Sequence, residues 1–405
     1  MLTTDTSPEL TANTLTDKLT TKFSFDQIEA IPLALYIHIP WCVKKCPYCD
    51  FNSHESQGEI DFSGYVDALW ADLDSQLCYV QGREIGSIFI GGGTPSLLPI
   101  AQYRTLFEGI RSRLPLAKDC EITMEANPAT VEHAPFVDYL RVGINRLSLG
   151  VQSFHPDKLA KLGRIHNPTQ AISAITQARQ AGFQRLNVDL MHGLPNQSLD
   201  EALADLQQAI DLGARHISWY QLTIEPNTVF YRNMPVLPDD EVLVDIFEQG
   251  SQLLRDNGFI QYEVSAWTKA DKPQPSRHNV NYWQFGDYLA IGAGAHGKIT
   301  THEGVFRFSK SRLPRDYVTN QKAIGWQVVA AEDMPFEFMM NGLRLKDGVP
   351  RAYWDERTGL DWSVVEPTLQ DLQNRGLLEL TDERIRCSET GFLFLNQVLQ
   401  AFLED

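Results

Sequence analysis

Three cysteines stand close together near the start of the chain, at Cys42, Cys46 and Cys49, in the pattern C-x3-C-x2-C. The chain holds six cysteines in 405 residues, which is too few for a disulfide scaffold. Thiolates are the usual protein ligands of iron–sulfur clusters. Because three thiolates leave one iron of a cubane without a protein ligand, the pattern predicts a [4Fe–4S] cluster with an open coordination position.

Other metal sites fit this spacing less well. Bacterial ferredoxins use C-x2-C-x2-C-x3-C, and a zinc finger needs a second Cys/His pair at a suitable distance. His54 stands five residues beyond Cys49 and could complete a zinc site, so that alternative stays open here. The other three cysteines stand alone, and we expect them to be small, buried apolar residues: Cys78, Cys120 and Cys387.

Six β-rich runs alternate with helical patterns in the first half of the chain. This alternation is typical of βαβ units with a parallel sheet. Six units are too few to close an eight-stranded TIM barrel, so the sequence predicts an α/β fold with an incomplete (β/α)6 barrel. The predicted strands are 34–39, 87–92, 121–126, 145–150, 185–190 and 216–222, and the predicted helices are 64–80, 100–113, 133–141, 169–181 and 199–211.

Unusual residues gather where these predicted strands end. The cysteines follow the first strand, and the sequence GGGT at residues 91–94 follows the second. Glu125, Gln152 and Asp189 end or follow the third, fourth and fifth strands. Because chemistry in α/β barrels and open parallel sheets sits at the carboxyl ends of the strands, we expect these residues to share one site.

The remaining sequence predicts a modular organisation. Residues 238–258 have the pattern of one amphipathic helix, and residues 261–310 are predicted to be rich in loops. The end of the chain has the order helix, turn, helix, hairpin and closing helix, which is typical of a winged helix. The predicted segments are a poorly ordered lead-in (1–30), the partial barrel (31–230), a barrel-covering segment (231–325) and a C-terminal α+β winged-helix-like domain (326–405).

Charge and hydropathy exclude several classes of partner. The formal net charge of −17 repels phosphate backbones, so nucleic acid is not expected as a partner. The first thirty residues lack an apolar signal region and an Arg-rich transit pattern, and no run of 18 apolar residues occurs. We therefore expect a cytoplasmic protein whose thiols stay reduced.

The cysteine pattern, with an aromatic residue at Tyr48, resembles the signature of radical S-adenosylmethionine (SAM) proteins, and GGGTP at residues 91–95 supports the resemblance. The resemblance implies that the amino and carboxylate groups of SAM chelate the open iron. It further implies that one electron from the reduced cluster cleaves SAM to methionine and a 5′-deoxyadenosyl radical. An electron donor such as flavodoxin or ferredoxin would then be a partner.

A narrower resemblance covers nearly the whole chain from residue 33. The runs YIHIPWC, GGGTPS, MEANP, RLSLGVQSF, VDLMHGLPNQ and HNVNYW are similar to the family of oxygen-independent coproporphyrinogen III oxidase and its relatives. Glu125, Gln152 and Asp189 would suit the ribose hydroxyls and the ammonium group, and Arg164 would suit the carboxylate. The resemblance implies a SAM site at Tyr36, Tyr48, Gly92, Gly93, Thr94, Glu125, Gln152, Arg164 and Asp189.

One position departs from the oxidase pattern. The oxidase carries a fourth cysteine two residues after the third, whereas Phe51 occupies that place here. Together with HNVNYW at 278–283, this departure resembles the HemW branch of the family, whose members are thought to bind heme and pass it to acceptor proteins. The resemblance therefore favours a heme chaperone, with oxidative decarboxylation of coproporphyrinogen III as the alternative, and whether the chain is an enzyme stays open.

His278 of the HNVNYW run is the candidate heme ligand, because imidazole is a common axial ligand of heme iron. The alternative, which stays open here, is that His278 and Asn279 cap or brace a loop and that the neighbouring aromatic residues belong to the core. Tyr282 and Trp283 could pack on a porphyrin face. His38, His192 and His296 are weaker candidates. Unidentified heme acceptors, a homodimer and peripheral membrane contact are further expectations, although no basic amphipathic helix supports the last of these.

Overall fold

The computed structural model describes residues 21–56, 58–129, 134–321 and 324–403, and a twelve-stranded sheet dominates this part of the chain. The strands are β1 (Leu33–Ile39), β2 (Trp41–Cys42), β3 (His54–Glu55), β4 (Ile85–Gly92), β5 (Leu116–Ala126), β6 (Arg146–Gln152), β7 (Arg185–His192), β8 (His216–Gln221), β9 (Phe259–Glu263), β10 (Ala266–Lys269), β11 (Asp287–Ile291), β12 (His296–Thr301), β13 (Gly304–Ser309), β14 (Ile324–Val328), β15 (Val349–Pro350), β16 (Leu378–Leu380) and β17 (Arg384–Cys387).

Helices connect these strands and cover the sheet. They are α1 (Phe25–Ala30), α2 (Phe62–Gln76), α3 (Ile100–Arg113), α4 (Phe136–Val142), α5 (Pro156–Lys161), α6 (Pro168–Gln180), α7 (Leu199–Asp211), α8 (Val229–Arg232), α9 (Asp240–Asp256), α10 (Arg277–Trp283), α11 (Pro314–Thr319), α12 (Met334–Gly342), α13 (Tyr353–Thr358), α14 (Glu366–Asn374), α15 (Glu389–Leu393) and α16 (Leu395–Gln400).

The predicted incomplete (β/α)6 barrel is confirmed. Its strands run parallel in the spatial order β1-β4-β5-β6-β7-β8, which follows their order in the chain. Successive residues Leu33, Ala34 and Leu35 of β1 and Ser87 and Ile88 of β4 are buried, as expected for strands covered on both faces. Parallel pairing brings all six carboxyl ends to one edge of the sheet, and this edge carries the site.

The prediction that residues 261–310 are rich in loops is wrong. Strands β10 and β9 extend the sheet beyond β8, while β11 pairs in parallel with β1 and continues into β12, β13 and β14. The apolar pattern is weak here because buried charges interrupt it. Lys298 and Thr300 of β12 are almost fully buried and both bond to Asp287 of β11. A strand that buries a paired charge does not show the apolar pattern on which the prediction depends.

The lead-in is also more structured than predicted. Residues 25–30 form α1, whose N-cap Ser24 and Gln27 make a reciprocal capping box. Phe23 and Ile28 are buried in the same apolar cluster as Trp354 of α13. The prediction of poor order is therefore wrong for residues 25–30, and residues 1–20 lie outside the described part.

The C-terminal segment follows the predicted order of helix, turn, helix, hairpin and closing helix. Helices α12, α13 and α14 precede the hairpin of β16 and β17, and the short strand β15 adds a third strand to that sheet. Its separate apolar core includes Phe338, Trp354, Leu369 and Ile385. No helix within the described ranges is long and apolar enough to cross a membrane.

The three isolated cysteines differ in their exposure to solvent. Cys120 and Cys387 are buried, as predicted. Cys78 is exposed, so the prediction for that residue is wrong. It lies in the single helical turn at Leu77–Tyr79 that follows α2, where the chain returns to the surface before β4.

Candidate cofactor site

The cysteine loop leaves the carboxyl end of β1 and is anchored at its base. Strand β2 pairs in parallel with β3, placing Trp41 beside His54. The Thr94 amide, just beyond β4, donates to the Trp41 carbonyl at 2.7 Å. Within the loop, the Cys49 amide donates to the Cys46 carbonyl at 3.1 Å. The loop is therefore held by the carboxyl end of the neighbouring barrel strand.

The three thiols suit a cluster better than a single ion. Thiolates around one zinc lie about 3.8 Å apart, given Zn–S bonds of about 2.3 Å. Among the described residues, only His155, Asp157 and Glu201 form a group of three metal-binding side chains whose ligand atoms all lie within 4.8 Å of one another, so at least one pair of the cysteine sulfur atoms is farther apart than 4.8 Å. His54 donates from its Nε2 to the Arg312 carbonyl at 3.1 Å, which leaves its Nδ1 for a metal ion, so the zinc alternative stays a prediction.

A cavity of about 370 Å³ opens beside these thiols at the carboxyl ends of the barrel strands, and we call it the cluster cavity. Its wall includes Cys46 and Cys49. Eight of the nine residues predicted to bind SAM also line it: Tyr48, Gly92, Gly93, Thr94, Glu125, Gln152, Arg164 and Asp189. The structure therefore brings together residues that the sequence spreads over about 140 positions.

Two glycines at the carboxyl end of β4, Gly92 and Gly93, permit the close approach of β1 and of the cysteine loop. A Cβ atom at Gly93 would lie 2.5 Å from the Trp41 carbonyl oxygen. Gly92 has a φ of 112°, and a Cβ atom there would lie 2.6 Å from the His38 ring. Side chains at these positions would displace the loop or the strand, so the glycines are required by packing as well as by conformation.

Two partly buried carboxyl groups, Asp189 and Glu125, line the cluster cavity. The Ser148 hydroxyl donates to Asp189 at 2.7 Å, and the Asn187 amide donates to its other oxygen at 2.8 Å. Burial raises the pKa of Asp189, and burial together with Asp189 raises the pKa of Glu125 to about 8. Across the described residues, no salt bridge joins either carboxyl group to a cation. A ligand that brings an ammonium and a sulfonium, as SAM does, fits this pair.

Arg164 offers the complementary charge. Its Nη2 donates to the Gly150 carbonyl at 2.6 Å, and its Nη1 lies 3.6 Å from the Cys46 sulfur. Its Nε is buried and has no hydrogen-bond partner in the described part of the chain. A buried donor without a partner is costly, so this atom fits the carboxylate of a ligand.

Gln152 occupies an unusual backbone conformation at the end of β6. Its φ of 69° lies in the left-handed region that favours glycine. Its side-chain oxygen accepts a hydrogen bond from the Tyr220 hydroxyl at 3.0 Å. Such outliers collect at ligand sites, where the surrounding structure holds them in place.

A second cavity of about 650 Å³ adjoins the first, and we call it the aromatic cavity. The two cavities share Phe51, Gly92 and Glu125 in their walls. Tyr36, the ninth residue predicted to bind SAM, lines this second cavity, and its hydroxyl lies 2.9 Å from His38 Nδ1. The other aromatic residues of its wall are Phe89, Tyr282 and Tyr288.

His278 lies behind the aromatic wall and lines neither cavity. Its side chain is 1% exposed and stacks on Phe89, with ring centroids 5.2 Å apart. Its Nδ1 lies 3.2 Å from the Ser87 hydroxyl, and its Nε2 lies 2.7 Å from the Tyr282 hydroxyl. Burial lowers the pKa of His278 to about 3, so the ring is neutral. Ligation of heme iron by His278 stays a prediction, and it would require the ring to leave at least one of these partners.

Helix α10 nevertheless connects the HNVNYW run to both cavities. Asn279 and Trp283 line the cluster cavity, while Tyr282 lines the aromatic cavity. The Trp283 ring lies under the Arg344 guanidinium, 4.3 Å from ring centroid to Cζ. The run therefore contributes to the wall between the cavities.

Some residues of the site escaped the sequence analysis. Ser148 is a polar residue inside the apolar strand β6, and this mismatch is a usable signal. Tyr220 of β8 gives the same kind of signal, because it carries a polar hydroxyl in a strand whose preceding residue, Trp219, is buried. Arg344, which follows α12, lines the cluster cavity from far along the chain, and no local pattern indicates that position.

Comparisons with known proteins agree with this geometry. Residues 36–209 match the radical SAM superfamily, and residues 329–394 match the HemN C-terminal domain. The solved coproporphyrinogen III oxidase HemN from Escherichia coli, described as a radical SAM enzyme, superposes with a TM-score of 0.76 over 95% of this chain and 94% of that one. The sequences are 21% identical, so this likeness shows the fold alone.

Curated relatives match over nearly the full length. Heme chaperone HemW of Escherichia coli is 54% identical over 375 residues, which cover 92% of this chain and 99% of the relative. Proteins of the same name from Haemophilus influenzae and Mycobacterium tuberculosis are 50% and 32% identical, cover 92% of this chain, and are themselves covered to 98% and 95%. The chain therefore belongs to the HemW family within the radical SAM superfamily.

Proposed function

We propose that this chain binds heme and transfers it to acceptor proteins, and that it carries a SAM-chelated [4Fe–4S] cluster on Cys42, Cys46 and Cys49. The observation that carries the proposal is the 54% identity to a heme chaperone along 92% of the chain. A cavity beside the cysteine thiols, bordered by a second and larger aromatic cavity, supports it.

The residues of the cluster cavity have distinct roles in this proposal. Arg164 would hold the SAM carboxylate through its Nε, and the backbone carbonyls of residues 92–94 would accept from the SAM amino group. Glu125 and Asp189 balance the positive charge and accept from the ribose hydroxyls. When bound at the open iron, SAM supplies a 5′-deoxyadenosyl radical upon reduction. Tyr48 and Gln152 shape the pocket, and Tyr36 contacts the ligand from the aromatic cavity.

Coproporphyrinogen III oxidation is the second candidate function. The shared fold with the oxidase HemN permits it. Phe51, at the place where the oxidase carries a fourth cysteine, is 60% exposed and lines both cavities. An aromatic side chain there cannot supply a thiol, so the chemistry of this position favours the chaperone.

Several partners belong to the proposal. Acceptor proteins receive the heme, and a flavodoxin or ferredoxin reduces the cluster if SAM is cleaved. A homodimer, peripheral membrane contact and a cytoplasmic location are further parts of the hypothesis.

The cluster is tested by replacing all three loop cysteines with serine. We expect anaerobically reconstituted wild-type protein to hold about four irons per chain and the triple variant to hold almost none. Cys78→Ser is the matched control, because Cys78 is a free, exposed cysteine outside the loop. Four irons in the triple variant would contradict the assignment.

Heme function is tested by titration and transfer. The reconstituted protein should bind one heme per chain and release it to apomyoglobin, a heme-free acceptor with a distinct spectrum. Absence of saturable heme binding by the reconstituted protein would refute the proposed function.

A further inference from the structure

The aromatic cavity has the size and chemistry of a site for a planar macrocycle. Its volume of about 650 Å³ falls within the range of about 300–1,000 Å³ that holds cofactors and other organic ligands. Tyr36, Phe89 and Tyr282 contribute rings to its wall, and the Tyr36 and Phe89 rings are stacked with centroids 6.4 Å apart. Aromatic walls of this kind pack on the face of a flat apolar ligand.

Three histidines lie in or beside this cavity, and two of them, His38 and His278, already make hydrogen bonds through both ring nitrogens. The His38 Nε2 donates to the Asn52 carbonyl at 2.8 Å, and its Nδ1 accepts from the Tyr36 hydroxyl. His278 has both ring nitrogens within hydrogen-bond distance of hydroxyl groups. Because a metal must replace a proton or a hydrogen bond at the nitrogen it binds, neither ring is ready to ligate iron.

His296 differs from both. It begins β12, its side chain is exposed, and it lines the aromatic cavity. Its imidazole ring makes no hydrogen bond in the described part of the chain, so both nitrogens are available. Imidazole is a common axial ligand of heme iron.

The cavity also offers a charge for a carboxylate. Arg312 lines it, is exposed, and has no salt-bridge partner among the described residues. Lys310 lines it too, but its ammonium is fully buried and paired with Asp72, so its charge is already balanced. A guanidinium at the mouth of an aromatic cavity suits the propionate groups of heme, because Arg binds carboxylates through two parallel hydrogen bonds.

We propose that heme binds in the aromatic cavity, with His296 as the axial ligand of its iron and Arg312 at a propionate. This inference rests on the proposed function, since it names the heme site of the same chaperone. It places the heme beside the SAM site, separated by the shared wall of Phe51, Gly92 and Glu125. It also assigns His278 the role of bracing the aromatic wall, through Phe89 and Tyr282, instead of ligating iron.

The test compares heme spectra and affinities of His296→Ala and His278→Ala. We expect His296→Ala to lose the histidine-ligated ferric spectrum and to bind heme at least tenfold more weakly, and added imidazole to restore the spectrum. His302→Ala is the matched control, because His302 lies in the same hairpin and its ring donates to the Phe23 carbonyl. An unchanged spectrum in His296→Ala, or loss of ligation in a folded His278→Ala, would overturn the inference.

A second variant tests the propionate contact without altering the iron ligand. Arg312→Gln should weaken heme binding several-fold and leave binding of heme dimethyl ester unchanged, because the ester carries no carboxylate. The Asn52 and His54 side chains bond to the Arg312 backbone carbonyl, which this substitution retains. Equal weakening for both ligands, or no weakening for either, would contradict the assignment. If wild-type protein bound no heme at all, the proposed function itself would fail, and this outcome differs from each of the others.

Discussion

At the residue scale, Glu125 connects the electrostatics of the site to its ligand. Burial and Asp189 raise its pKa to about 8, so the free protein holds this carboxyl largely protonated at neutral pH. A cationic ligand favours the ionised form, and its binding therefore displaces a proton. The affinity for such a ligand must then increase as the pH rises toward the pKa of Glu125.

This argument predicts the pH dependence of SAM binding. Calorimetric titration of reconstituted protein should show SAM affinity rising at least several-fold between pH 6.5 and 8.5, and each pH unit well below the pKa contributes up to about tenfold. Glu125→Gln should bind SAM more weakly and lose most of this dependence, which separates the effect of Glu125 from the titration of SAM itself. Equal pH profiles for the two proteins would refute the role of Glu125.

Single residues differ in how well the sequence predicts them. The cysteines, the glycines and Glu125 follow strand ends, and a parallel sheet brings all such ends to one edge. The state of His278 could not be predicted, because its burial depends on Ser87 and Tyr282 meeting it in three dimensions. The choice of His296 as the proposed iron ligand likewise needs the structure. It depends on the His296 ring making no hydrogen bond in the described part of the chain, whereas the rings of His38 and His278 are hydrogen-bonded.

At the element scale, the contact between the cysteine loop and the end of β4 determines whether the site forms. A Cβ atom at Gly93 would lie 2.5 Å from the Trp41 carbonyl oxygen, and backbone at that position cannot move without moving β2. Because Gly93 has no side chain, the end of β4 can pack directly against the cysteine loop and hold it in place.

Gly93→Ala should displace the loop and lower the iron bound per chain several-fold, with a loss of about 1–3 kcal/mol in the free energy of unfolding. Gly86→Ala is the matched control, because Gly86 lies in β4, the strand that leads to Gly93, and its nearest neighbour would be 3.9 Å from the new Cβ atom. Iron content and denaturant unfolding measure the two effects. Normal iron content in Gly93→Ala would show that the loop tolerates the displacement.

At the scale of the whole molecule, β11 joins the barrel to the strands that follow it. Asp287 at its start is fully buried and pairs with Arg83 at 2.8 Å and Lys298 at 2.9 Å. Burial raises the pKa of Asp287, but the two cations outweigh burial and the net pKa is lowered. The pairing therefore stabilises the fold above the unfolded pKa of the carboxyl group, and this contribution is lost as the pH falls through the folded pKa.

Asp287→Asn should cost about 3–5 kcal/mol in urea unfolding at pH 7, because it leaves two buried cations without their counterion. Asp74→Asn removes a partly exposed pair with Arg113 and should cost less than about 1 kcal/mol. The difference in the free energy of unfolding between Asp287→Asn and the wild type should become smaller as the pH falls. A loss at pH 7 no greater than that of the control would contradict a structural role for this pair.

The sequence did not predict that the sheet extends beyond the six barrel strands. The six barrel strands are predictable because they are continuous apolar runs with helices between them. Strands β11 and β12 are buried but do not show a continuous apolar pattern, because they contain Asp287 and Lys298. These two charges pair with each other only in the folded chain. The aromatic cavity lies beside these strands, so it could not be predicted either.

The central claim is that a radical SAM scaffold serves heme binding here instead of decarboxylation. The direct measurement incubates anaerobically reconstituted protein with coproporphyrinogen III, SAM and a reductant, while a parallel sample is titrated with heme. The account predicts one heme bound per chain and no vinyl product. Formation of protoporphyrinogen together with 5′-deoxyadenosine would show that the fourth cysteine is dispensable, and the chain would then be an oxidase.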